Sequence, residues 1–191
     1  MTDLSQRRHG LETLVGAHGD REQLSATVTL EIRAAVRQLN LRGDPGKAGL
    51  RTAAEEALGQ ALPVQPNATT AGPHTICWLG PDEWLVLSAT PDAANVATAL
   101  EQALSKHGAA VNDVSGGQVL LHLAGSGVRD LLAKGCTLDF HPRAFAPGAC
   151  AQSGLAKANV LIRLDEDGEA FDVVVRRSFA DYLLRWLRHA A

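Results

Sequence analysis

The stretch from Asp113 to Ala156 limits the possible folds more than any other part of the chain. It opens with an Asp-Val-Ser-Gly turn, continues as an apolar strand from Gln118 to Leu123, and enters a short helix at Ser126. It then passes through a proline-punctuated loop holding Cys136, His141, Pro142, Arg143, Phe145, Pro147 and Cys150, and a further strand leaves that loop. Strand, helix, loop and strand in so short a span call for a sheet with a helix packed on it, because neither element alone can bury its apolar side.

The segments before this stretch repeat the theme. Arg33 to Arg42 alternates well enough for a half-buried strand, and Gly43-Asp44-Pro45-Gly46 breaks it. Leu50, Ala53, Ala54, Ala57, Leu58 and Ala61 recur at helical spacing, and Pro63 to Pro73 reads as a loop. His74 to Leu79 and Trp84 to Ala89 read as a hairpin around Gly80-Pro81-Asp82-Glu83, with Trp78 and Trp84 as anchors. A helix from Pro91 to His107 and a strand from Ala109 to Ser115 follow. After the central loop come strands near 156–164 and 171–176, turning at Asp165-Glu166-Asp167-Gly168. The last helix starts at Ser178, where Ser178 and Asp181 resemble a capping box.

The order is β-α-β-β-α-β followed by β-α-β-β-α, which predicts an α+β fold with antiparallel or mixed sheets. The expected division is an arm over residues 1–30, extended or ordered against a partner, and one domain over 31–191 whose halves are 31–116 and 117–191. A 191-residue chain accommodates that. Aromatics are only 4 %, so Ala, Leu and Val must build most of the core. A net charge of -3 offers no basic field for nucleic acid. The first residues lack the apolar run of a secretory signal, and no run is long enough to span a bilayer, so the expected location is the cytoplasm.

Each candidate for chemistry falls short of its template. Gly43-Asp44-Pro45-Gly46-Lys47-Ala48 lacks both the first glycine and the Ser or Thr of a phosphate loop, and reads as a turn. Gly125-Ser126-Gly127 sits where a dinucleotide fingerprint would, but Asp130 occupies its third glycine position, so a strand-to-helix turn with Ser126 as N-cap is expected. Cys136, His141 and Cys150 lack a Cys-x-x-Cys pair, and His122 could join them only by folding back. Cys136 beside Lys134 has no evident orienting partner for His141, so a cysteine nucleophile is not supported. The Asp165-Glu166-Asp167 run reads as a solvated turn rather than a calcium loop. No catalytic, cofactor-binding or metal-ligating residue is assigned. His141, Pro142, Arg143 and Phe145 combine rigidity, a guanidinium fork and an aromatic anchor, and with Arg176 and Arg177 they are the expected partner-facing residues.

The strings WLGPDEWLVL, DVSGGQVLLHLAGSGVRDLL, TLDFHPRAFAPGACAQSGLAKANVLI and FDVVVRRSFADYLLRWL resemble the gamma subunits of bacterial heterotetrameric sarcosine oxidases from about Ala34 to the C-terminus. The resemblance implies a fold similar to the folate-binding region of the glycine-cleavage T-protein. It also implies membership of an alpha, beta, gamma and delta complex that oxidises sarcosine to glycine with tetrahydrofolate and O2, giving 5,10-methylenetetrahydrofolate and hydrogen peroxide. FAD, FMN, NAD and the folate site are then expected on other subunits, with alpha as the direct contact, and this chain is expected to serve assembly. The alternative is a stand-alone folate-binding protein related to aminomethyltransferases or to iron–sulfur repair factors, whose Lys-Gly-Cys tripeptide appears at Lys134-Gly135-Cys136 without its following residues.

Overall fold

The computed structural model describes residues 21–33 and 35–191. In chain order these form β1 (Arg21–Ser25), β2 (Val28–Ile32), β3 (Arg37–Arg42), α1 (Leu50–Leu58), β4 (Thr69–Ala71), β5 (Thr75–Gly80), β6 (Glu83–Ser88), α2 (Ala93–Leu104) and β7 (Ala110–Asp113). The order continues with β8 (Gln118–Ala124), α3 (Val128–Ala133), β9 (Cys150–Leu155), β10 (Ala158–Leu164), β11 (Ala170–Arg176) and α4 (Arg177–Ala190). The architecture is α+β with two antiparallel sheets. The described residues form two compact units: one holds 21–33, 35, 117–147 and 151–191, the other 36–116 with 148–150.

In the first unit six strands run in the order β1-β2-β8-β11-β10-β9. The β8, β10 and β11 segments are rich in Val, Leu and Ile, residues that suit a pleated, buried surface. Register then sorts their faces. Leu123 lies opposite Leu30 and Phe171, Leu121 opposite Ile32 and Val173, and Val173 opposite Ile162. Because side chains alternate along a strand, this whole set shares one face and the residues between them share the other. Helix α4 buries Ala180, Leu183, Leu184 and Leu187, an i, i+3, i+4, i+7 stripe.

In the second unit the order is β4-β5-β6-β3-β7. Its core joins Leu39, Leu41, Ile76, Trp84 and Val86 from the sheet to Leu50, Ala54, Leu58, Leu100 and Leu104 from α1 and α2. Trp84 is fully buried, donates its indole N–H to the Pro63 carbonyl at 2.8 Å, and faces the half-buried Trp78 across the expected hairpin.

Several expectations are corrected. Residues 21–30, assigned to the arm, contain β1 and most of β2; Val28, Leu30 and Ile32 are buried at period two and pair with β8, so this hairpin belongs to the sheet. The rest of the expected arm lies outside the described residues. The strand expected from Arg33 begins at Arg37. The loop before Pro73 contains β4, and β9 forms at Cys150 ahead of the strand expected near Ala156. Neither expected cap forms. Helix α3 begins after Gly127 and α4 after Arg176, both without a side-chain cap, which places Ser178 inside the helix. The second helix begins at Ala93, so Pro91 precedes its cap residue Asp92.

Candidate functional site

Between α3 and β9 the chain forms a loop whose rigidity comes from local hydrogen bonds. The His141 N–H donates to Asp139 Oδ1 at 2.9 Å, and the Ala144 and Phe145 N–H groups donate to the His141 carbonyl at 2.8 and 2.9 Å. The Arg143 N–H donates to His141 Nδ1 at 3.2 Å, which assigns the proton of the neutral ring to Nε2. His141, Pro142 and Arg143 are all exposed, so this turn presents an imidazole and a guanidinium on a fixed backbone.

Phe145, expected on the same partner-facing surface, is turned inward and only 5 % exposed. Its ring lies 5.5 Å from Phe140 and 6.0 Å from Phe171, while Phe140 meets Phe171 edge-on at 5.8 Å. Burying the ring in that aromatic slot recovers area and quadrupole interaction that solvent exposure would forfeit. Arg129 of α3 completes the anchor. Its guanidinium sits 5.3 Å from the Phe171 centroid and donates to the carbonyls of Phe140 and Phe145. The loop is therefore tied at both ends to β11.

Arg176 and Arg177, the other expected partner-facing pair, are exposed at the far end of β11. Arg176 lies five residue steps along the strand from Phe171, a span of about 17 Å. The two expected groups are thus not brought together.

The sheet face opposite Phe171 carries charge that sequence reading missed. Register aligns Glu31 of β2, His122 of β8, Asp172 of β11 and Arg163 of β10 in one row across four adjacent strands. His122 Nδ1 lies 2.8 Å from Asp172 Oδ1, and Arg163 Nη1 donates to Asp172 Oδ2 at 2.9 Å. Arg33 stands 3.9 Å from Asp172 and 3.8 Å from Glu31, and Arg163 also pairs with Glu166. Glu166, expected merely to be solvated in its turn, is therefore an ion-pair partner. Burial pushes the Asp172 carboxyl up most strongly of any single effect. The hydrogen bond from His122 and the charges of His122, Arg163 and Arg33 together outweigh that, and hold it below its ordinary value.

The remaining candidates have structural explanations. Gly125 adopts φ 117°, and a Cβ there would overlap the Thr27 carbonyl, which accepts the Gly127 N–H at 3.1 Å. A Cβ on Gly127 would overlap the Thr27 side chain. The Gly-Ser-Gly turn is thus filled by the β1–β2 hairpin, in the position a dinucleotide pyrophosphate would need. Gly125→Ala is expected to destabilise the fold by at least about 1 kcal/mol, because it adds both a clash and a strained φ; chemical denaturation of the variant checks this.

Asp44 accepts the Gly46 N–H at 2.8 Å, which makes the Gly-Asp-Pro-Gly segment an Asx turn before α1. Cys136 Sγ is 3.5 Å from Ser153 Oγ, and Cys150 Sγ reaches the Ala68 and Trp78 carbonyls at 3.4 and 3.5 Å. Among the described residues no group of three or more His, Cys, Asp or Glu side chains stands close enough to hold a metal. In Lys134-Gly135-Cys136, Lys134 donates to the Ala190 carbonyl and Gly135 lies against Trp186, so that tripeptide joins α3 to α4. No described helix is long and apolar enough to cross a membrane.

Comparison with known proteins agrees with this architecture. The chain is 33 % identical to sarcosine oxidase subunit gamma of Corynebacterium sp. (strain P-1) over 96 % of its own length and 89 % of that protein. It superposes on a chain of the heterotetrameric sarcosine oxidase of Corynebacterium sp. U-96, solved in complex with pyrrole 2-carboxylate, with TM-score 0.84 and 29 % identity. That match covers 96 % of this chain and 94 % of that one. The aminomethyltransferase T of the Bartonella henselae glycine cleavage system shares the fold at TM-score 0.60 and 16 % identity, over 86 % of this chain and 46 % of that one. The model of the "Sarcosine oxidase, gamma subunit family" matches residues 42–191. With most of the chain inside that model and a relative one-third identical over nearly its full length, the chain belongs to the sarcosine oxidase gamma subunit family.

Proposed function

We propose that this chain works as the gamma subunit of a heterotetrameric sarcosine oxidase and contributes to assembly rather than to chemistry. The observation that carries the reading is the superposition, over 96 % of the chain, on a subunit of a solved heterotetrameric enzyme. The arrangement of charged residues supports it. Asp172, His122, Arg163 and Glu31 face one another across the strands, so they reinforce the sheet instead of converging on a substrate. The glycines that would cradle a dinucleotide are occupied by Thr27. FAD, FMN, NAD and tetrahydrofolate then act on the alpha and beta subunits, in the oxidation of sarcosine to glycine with formation of 5,10-methylenetetrahydrofolate and hydrogen peroxide. The alpha, beta and delta chains are its partners, in the cytoplasm, with alpha the direct contact through His141, Pro142 and Arg143.

The test is purification of the tagged chain from its native host. Three larger or smaller partners should co-elute in a yellow complex that releases peroxide when sarcosine is added. A lone, colourless chain that binds tetrahydrofolate on titration would overturn the assembly role in favour of a free-standing folate-binding protein.

A further inference from the structure

Among the described histidines His74 alone is buried, at 7 % exposure, and its Nδ1 has no hydrogen-bond partner among the described residues. Such a site tolerates a neutral ring and strongly disfavours a charged one. The hydrogen bonds that hold the residue act on its backbone. The Gln60 side chain, just past the end of α1, accepts the His74 N–H at 2.9 Å and donates to the His74 carbonyl at 3.0 Å. The same amide donates to the Thr70 carbonyl at 3.3 Å, and Thr70 Oγ1 donates to the Ala61 carbonyl at 2.7 Å. These neutral bonds fasten the β4–β5 hairpin to the end of α1.

No charged group among the described residues pairs with the ring. β4 and β5 contain no Asp, Glu, Lys or Arg, and Cys77 of β5 alternates to the opposite face. On α1, Glu55 accepts the Leu62 N–H at 3.3 Å and pairs with Arg51 at 3.5 Å. Glu56 of α1 and Asp92 before α2 are exposed. The pairing of Thr75 with Leu87 places His74 beside the fully buried Ser88; beyond it lies Arg37, paired with Asp113 at 2.7 Å. Glu83 and Arg42 pair with each other at the far end of β6 and β3.

β4 is a three-residue strand at the edge of its sheet, the kind of element that opens locally at small cost. The buried Cys150 thiol lies across its junction with β5, with Sγ 3.4 Å from the Ala68 carbonyl and 3.5 Å from that of Trp78.

From these observations we infer that His74 is an acid-sensitive latch: protonating its ring releases β4 from α1 and β5 and uncovers the Cys150 thiol. Burial holds the basicity of His74 below the ordinary value of 6.5, so a proton binds the open form in preference to the closed one. Opening is therefore at its minimum above about pH 6.5 and grows as pH falls, by up to about tenfold over the first unit below it, the limit set by one proton.

The test compares the full chain, with whichever subunits accompany it, at about pH 7.5 and about pH 5.5. Amide exchange, corrected for the intrinsic rate at each pH, should show about three- to tenfold lower protection at 69–71 and at Trp78 in acid, with β3 unchanged. Labelling by 4,4′-dithiodipyridine, which reacts with thiols in acid as well as at neutral pH, should rise at Cys150 by the same factor relative to Cys136. His74→Phe and His74→Gln, uncharged at both pH values, should abolish both changes, and Gln60→Ala should lower the protection of β4 already at about pH 7.5. Unchanged wild-type protection at 69–71, a loss shared equally by β3, or an undiminished loss in either folded His74 variant overturns the latch. An onset in the wild type only below about pH 5 assigns the opening to carboxylates and overturns it as well.

Discussion

Asp172→Ala should remove about 3–5 kcal/mol of folding stability, read as a shift of the urea midpoint at pH 7. The carboxylate is 6 % exposed and holds Arg163 Nη1 at 2.9 Å and His122 Nδ1 at 2.8 Å, so truncation takes from the buried Arg163 its buried counter-charge and leaves it the more exposed Glu166. Replacing Asp172 and Arg163 together with Leu should restore much of the loss, because a buried ion pair exchanged for well-packed apolar residues is often neutral. If the double variant is as unstable as the single one, the lost counter-charge is not the cause.

The sign of the pH dependence follows from the depressed carboxyl. Between the folded and the ordinary values the unfolded chain binds the proton and the native one does not. The contribution is therefore complete above the ordinary value of 3.8 and disappears as pH falls through the lower folded value. The stability gap between wild type and Asp172→Asn should accordingly narrow below about pH 4. His74, whose burial lowers its basicity from 6.5, acts in the same direction at milder acidity: stability is lost as pH drops below its unfolded value.

The row containing Asp172 explains what sequence reading could and could not reach. Elements announced by period or punctuation were legible: the helix from Leu50, the hairpin around Gly80-Pro81-Asp82-Glu83, and the apolar β8, β10 and β11 segments. Elements too short or too polar to carry a period were not. β4 has three residues, and β9 reads Cys-Ala-Gln-Ser-Gly-Leu; both exist because neighbouring strands supply hydrogen bonds. Each of the three apolar strands does contain one inward polar residue, in QVLLHLA, ANVLIRL and AFDVVVR. A single charge or imidazole amid buried neighbours needs a partner, and that was a signal available beforehand. What the sequence lacked was register, which alone decides that His122, Asp172 and Arg163 are opposite one another. Phe145 failed for a related reason. An aromatic in a loop between prolines resembles a surface anchor until the positions of Phe140 and Phe171 are known.

Phe171, the residue before Asp172, points to the other face and should be the second costly position. Phe171→Ala is expected to destabilise the chain by about 3–5 kcal/mol, the usual loss for a truncated core Phe. Its side chain is 2 % exposed, lies opposite Leu123 and Leu164, and closes the trio with Phe140 and Phe145. The same truncation takes away the ring beneath Arg129, whose donors fix the Phe140 and Phe145 carbonyls. Stability and loop order are therefore coupled through one residue. Under conditions where Phe171→Ala remains folded, amide hydrogen exchange should accelerate at His141 to Phe145 more than in β8, which keeps its pairing with β2. Phe171→Leu retains apolar bulk but not the ring, so it should cost less stability while still loosening the loop. Wild-type exchange at those amides in both variants would mean that the hydrogen bonds to the His141 carbonyl and Asp139 hold the turn without the aromatic anchor.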